Sequence, residues 1–90
     1  TEANRTVEWI FGIGYNDDID KVKSIIKEVI FTDKRVINKD NPYIYVGALA
    51  DNSVNLKVRA VVENNLYWDV YQDKLEEIKK AFDKEGITIP

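Results

Sequence analysis

Ninety residues make one domain with one core, and 13 basic against 16 acidic side chains leave a net charge of −3. That balance argues against nonspecific nucleic-acid binding, which needs an excess of Lys and Arg to displace counterions, and against an anionic membrane surface as a direct partner. The chain has no Cys and no His, which excludes a disulfide framework, a zinc–thiolate site and a thiol nucleophile and removes the commonest general base.

No apolar run approaches the ~18–20 residues that span a bilayer, and no signal-peptide pattern is present, so a soluble domain is expected. Met is absent as well, and a piece cut from a longer protein is expected.

Along the chain, Arg5–Gly14 reads as a strand. Val7, Trp9, Phe11 and Ile13 alternate with Thr6, Glu8, Ile10 and Gly12. Ile10 keeps the second face partly apolar, which predicts a central strand with neighbours on both sides. Tyr15–Asp18 is a turn, with Asp17 as the expected N-cap of a helix from Asp18 to Phe31 and Asp20 completing a short capping box. Ile19, Val22, Ile25, Ile26, Val29 and Ile30 form one helical stripe. Thr32–Pro42 is a polar connection with a helical turn around Arg35–Ile37, and Tyr43–Leu49 is a second strand.

Ala50–Ser53 turns the chain into the clearest strand of all. There Val54, Leu56, Val58, Ala60 and Val62 alternate with outward Asn55, Lys57, Arg59 and Glu63, with Val61 breaking the pattern. The next helix, Leu66–Glu85, offers Leu66, Val70, Leu75, Ile78, Ala81 and Phe82 to the core and stops at Gly86. Ile87–Ile89 reads as a short last strand ended by Pro90. The order predicts an α+β fold: a ferredoxin-like β-α-β-β-α-β two-layer sandwich, an antiparallel sheet with two helices on one face.

Candidate chemistry fails site by site. Gly12-Ile13-Gly14 lacks the third glycine of a dinucleotide loop, and Asp17, Asp18 and Asp20 would repel a pyrophosphate. Those acids lack the central Gly of a calcium loop, whose closing Glu would fall on Val29, and helix capping explains them. The first turn has no Arg for acylphosphatase chemistry and no Cys pair for metal transfer. Lys57 and Arg59 lack the aromatic partners of an RNA-binding strand. No nucleophile, base and orienting group can be assembled, so neither a catalytic residue, a metal ligand nor a cofactor is assigned and an enzyme is not expected. Tyr67, Trp68 and Tyr71 cluster at the start of the second helix. Trp68 reads equally as a buried core-edge residue or as an interface residue.

Three stretches together carry a resemblance: IFGIGYNDDIDKVKSIIKEVI, LADNSVNLKVRAVV and YWDVYQDKLEEIKKAFDKEGITIP. Over Arg5–Pro90 the chain resembles the cytoplasmic C-terminal α/β domain of small-conductance mechanosensitive channels, the MscS family. The resemblance implies a homo-oligomeric channel, typically a heptamer. In it, pore helices and a β-domain precede this domain, which forms the wall of a hollow cytoplasmic vestibule. It implies release of ions and osmolytes through the pore under hypoosmotic stress, on the cytoplasmic side of the inner membrane. For residues 1–90 it implies a single domain without pore or tension sensor of its own, with an assembly and filter role. The implied partners are copies of itself, with no nucleic acid and no direct membrane contact by this stretch. Asn55, Lys57, Arg59 and Trp68 become candidate vestibule- or neighbour-facing positions. The alternative reading is a free-standing ferredoxin-like module that binds a small regulatory ligand.

Overall fold

The computed structural model describes residues 3–87. They form β1 (Asn4–Ile13), α1 (Ile19–Ile30), β2 (Tyr43–Leu49), β3 (Val54–Glu63), a 3-10 turn (Asn64–Leu66) and α2 (Tyr67–Glu85). The described strands make one antiparallel sheet in the order β1-β3-β2. β1 and β3 pair along their whole length, from Asn4 opposite Glu63 to Ile13 opposite Val54. β2 pairs from Tyr43 opposite Arg59 to Leu49 opposite Val54, with a bulge at Gly47 between Val46 and Ala48.

Alternation decides which face is dry. Val7, Trp9, Phe11 and Ile13 of β1 and Val54 to Val62 of β3 bury their odd-face or even-face side chains against the helices. From α1 come Val22, Ile26 and Ile30, flanked by half-buried Ile19, Ile25 and Val29. Val70, Ile78 and Phe82 of α2 complete the core, with the Phe82 ring edge-on to Phe11 at 6.1 Å. Both helices therefore cover one sheet face, as the sequence predicts, and the other face stays wet.

Three details differ from the sequence reading. Asp18, not Asp17, caps α1: its carboxylate accepts from the backbone N–H groups of Asp20 and Lys21. Asp17 instead accepts from Gly14 N–H at 2.9 Å, tightening the turn before the cap. Among the described residues β3 has a strand on each side and β1 pairs with β3 alone; a second neighbour for β1, as expected from Ile10, lies outside what those residues test. Thr88 and Ile89 of the expected last strand lie outside the described residues, while Ile87 is buried and its N–H bonds back to Phe82 across Gly86, whose φ of 74° suits only glycine well. The turn in the connection falls at Asp33–Val36, closed by Val36 N–H to Asp33 C=O at 3.1 Å, rather than around Arg35–Ile37.

The third detail concerns α2. Leu75, expected in the core, is 44% exposed, and Lys74 is buried in its stead at 4%. Positions 70, 74, 78 and 82 recur every fourth residue on one line of the helix, so geometry puts Lys74 inside. Its ammonium is satisfied there by Val29 C=O at 3.0 Å, Asp33 at 2.9 Å and Glu77 at 3.0 Å. Lys74 thereby completes the C-terminus of α1, whose last four carbonyls would otherwise lack partners. Phe31 N–H takes Lys27, the Thr32 hydroxyl takes Glu28, Lys74 takes Val29 and Asp33 N–H takes Ile30.

Candidate assembly surface

The uncovered sheet face carries two ordered rows. Glu8, Arg59 and Tyr43 stand side by side across the three strands, and Ile10, Lys57 and Tyr45 form the next row. Pairing in register places the opposite charges of Glu8 and Arg59 across adjacent strands, and Arg59 Nε donates to Glu8 at 2.8 Å. The same guanidinium lies 5.0 Å from the centre of the Tyr43 ring, and Tyr43 meets Tyr45 edge-on at 4.7 Å. Asn55, Lys57 and Arg59 all point to this face, as the alternation of β3 predicts. Ile10 and Tyr45 are exposed on it. The face is mixed in charge, and Ile10, Tyr43 and Tyr45 add apolar and aromatic area to it.

A second aromatic group sits at the start of α2, partly open to solvent. Trp9, Tyr71 and Tyr67 stack nearly parallel, with planes within 7° and 5° of one another, and Arg5 covers the last ring at 3.9 Å. Trp9 also donates its indole N–H to Tyr71 C=O at 3.2 Å, which ties β1 to α2. Trp68 packs edge-on against Tyr67 and Tyr71 yet remains 61% exposed. Of the two sequence readings for this residue, burial at the core edge is therefore the one the structure discards. The 100° step from Tyr67 to Trp68 turns it off the core line.

Other sequence candidates are accounted for by the fold. Gly14 N–H, which a phosphate loop would need free, is taken by the Asp17 carboxylate. Asp18 is spent on the α1 cap, and Asp20 is exposed beside it. Asn38 was missed by sequence reasoning. It lies where the lane of β2 runs out: Ile37 N–H donates to Val61 C=O at 2.7 Å, and Val61 N–H donates to the Asn38 side-chain oxygen at 2.9 Å. An amide side chain thus stands in for a strand residue at the edge of β3. Its signal, an Asn in the polar stretch that ends in Asn41-Pro42, is too common in turns to single out. Asp33 is the most perturbed acid. The Arg35 guanidinium, followed by Lys74, holds its carboxyl well below the usual carboxylate range against the opposing effect of burial.

No helix among the described residues is long and apolar enough to cross a membrane. The family described as "Mechanosensitive ion channel MscS, C-terminal" matches residues 7–89. The small-conductance mechanosensitive channel of Edwardsiella ictaluri (strain 93-146) is 36% identical over 89 residues, covering 99% of this chain and 31% of the relative. An uncharacterized MscS family protein of Synechocystis is 37% identical over 89 residues, covering 99% of this chain and 30% of the relative. Among solved structures, Helicobacter pylori MscS in its closed state matches with a TM-score of 0.89 and 31% identity, over 99% of this chain and 36% of that one. Arabidopsis thaliana MSL1 shares the fold, with a TM-score of 0.76 and 20% identity. The chain spans about a third of the length of these relatives. The motifs at the first turn, in β3 and at the start of α2 all fall inside the match, and the chain belongs to the MscS family of mechanosensitive ion channels, as that family's C-terminal domain.

Proposed function

We propose that this domain is a wall element of a cytoplasmic vestibule. The parent is a homo-oligomeric channel, heptameric by its resemblance, that opens under membrane tension and releases ions and small osmolytes on hypoosmotic stress. The domain carries no catalytic role. It supplies a rigid plate, contacts to neighbouring copies and a charged, aromatic lining past which solutes move. The observation that carries this reading is the family match across the whole described core, from β1 to the end of α2. Two surface features support it: the mixed open face around Glu8, Arg59 and Tyr45, and an exposed Trp68 braced by two tyrosines. Trp is enriched where surfaces meet, and bracing lowers the entropy lost on docking.

The test is made on the full-length protein, expressed in cells lacking their own mechanosensitive channels. Survival of hypoosmotic shock and a tension-gated conductance in membrane patches are expected, and their joint absence refutes the channel reading. The contact surface is tested separately. Trp68→Ala should loosen the solubilised full-length oligomer in native mass spectrometry while leaving the 90-residue chain folded. An oligomer of unchanged stability would remove Trp68 from the contact. The 90-residue chain alone should be monomeric or weakly associated by light scattering, and a stable heptamer would contradict that.

A further inference from the structure

Where β2 begins, the open face holds a cleft of about 250 Å³. Its floor is Thr6 and Val61, paired across β1 and β3. Tyr43 and Tyr45 wall one side and the connection around Asn38 the other. Asn38 holds that wall in place, accepting from Val61 N–H at 2.9 Å and donating to Arg59 C=O at 3.4 Å. Arg59 lines the cleft with a guanidinium only half engaged. Nε serves Glu8, and among the described residues its two terminal amino groups have no hydrogen-bond acceptor. Those two groups form a planar fork whose natural complement is a carboxylate. Around the fork are a hydroxyl, two ring surfaces and the Val61 side chain, which suit a short carbon chain. The volume lies below the ~300–1,000 Å³ of pockets that hold drug-sized molecules, so the ligand is small.

We propose that this cleft binds small organic monocarboxylates of a few carbons. The carboxylate sits on the terminal amino groups of Arg59, and the carbon chain lies on Tyr43, Tyr45 and Val61. Glu8 is a built-in competitor, because it holds the same guanidinium from its other edge and repels a second carboxylate. Affinity is therefore in the millimolar range, set by an exposed pair rather than a desolvated one. The site rests on this chain's own residues and not on the channel reading, so the two can fail independently.

The experiment titrates the 90-residue chain, whose core closes on its own residues, with sodium propionate and sodium butyrate, followed by ¹H–¹⁵N NMR against sodium chloride at matched ionic strength. Saturable shifts at the amides of Asn38, Tyr43, Arg59 and Val61 are expected. Arg59→Gln should weaken them by about tenfold or more, and Arg59→Lys, which keeps the charge and loses the fork, should weaken them too. Glu8→Gln should tighten binding several-fold, while Lys57→Gln, one row away, should leave it unchanged. Shifts that are absent, that chloride reproduces or that survive Arg59→Gln overturn the site. Shifts that grow with protein concentration alone place a carboxylate of another copy on Arg59 and overturn a site for free acids.

Discussion

Replacing Lys74 tests how the buried charge contributes to the fold. The wild-type ammonium meets three acceptors, one for each N–H: Val29 C=O, Asp33 and Glu77. Lys74→Ala removes the buried stem and the charge together. Loss of three methylenes costs about 2–2.5 kcal/mol at ~0.8 each. The orphaned Val29 carbonyl adds about 1–3 kcal/mol. Asp33 is not stranded, because Arg35 still binds both its oxygens, at 3.0 and 2.8 Å, so the full penalty for an unpaired buried charge does not apply. The sum is about 3–5 kcal/mol, a large part of the ~5–15 kcal/mol that holds a domain together. Lys74→Met keeps most of the stem and should lose only about 1–3 kcal/mol. Urea denaturation followed by the fluorescence of buried Trp9 measures both. A Met variant as stable as the wild type would mean that Val29 and Asp33 lose nothing when the ammonium goes, and the account of the α1 terminus would be wrong. Equal losses for Ala and Met would mean that the stem contributes nothing.

Further outcomes follow from the same contacts. Because the Asp33 carboxyl is depressed by Arg35 and Lys74, its contribution is present above the ordinary value of 3.8 and is lost as pH falls below it. Wild-type stability should thus drop more steeply below about pH 4 than that of Asp33→Asn, and parallel curves would deny the linkage. Val58→Asp should unfold the chain by placing an unpaired charge in a site with no exposure, whereas Lys57→Asp on the opposite face should change stability by under about 1 kcal/mol, as judged by circular dichroism melts. Asn38→Ala should cost about 1–3 kcal/mol and speed hydrogen exchange at Val61 N–H, and an unchanged exchange rate would show that water replaces the amide.

Legibility in the sequence followed the strength of periodicity. β3 could be read residue by residue, because its alternation survives the single break at Val61. The stripe of α1 was as clear, and all six of its apolar residues reach or flank the core. In α2 residue type and spacing disagree: Leu75 and Ala81 read as core, yet Leu75 is exposed and Ala81 only half-buried, while the fourfold line through Val70, Ile78 and Phe82 includes Lys74. The counter-charges that make a buried lysine tolerable are Glu77, three residues on in α2, and Asp33, which the chain after α1 brings under α2. The α1 cap was off by one residue because two adjacent Asp side chains compete for the same turn, and composition does not say which carboxylate reaches Asp20 N–H. On the candidate surface, the outward set of β3 was visible in advance, but its partners Glu8, Tyr43 and Tyr45 come from strands whose register only folding determines.

That register has a consequence for assembly. A surface meant to be permanently buried is depleted in charge at its centre, yet this open face keeps Glu8, Lys57 and Arg59 in its middle rows. The core meanwhile closes without help from any partner, from Val7 at one end of β1 to Ile87 beyond α2. The described core is thus built from this chain's own side chains, and the proposed association is not needed to bury it. Contacts through such a face are individually weak, since an exposed pair like Glu8–Arg59 contributes little and Ile10 and Tyr45 offer modest apolar area. In the proposed oligomer such contacts would become effective through tethering, which raises the local concentration toward the millimolar range without any added contact. Under the proposed vestibule role, contacts this weak would let neighbouring copies shift against one another without separating.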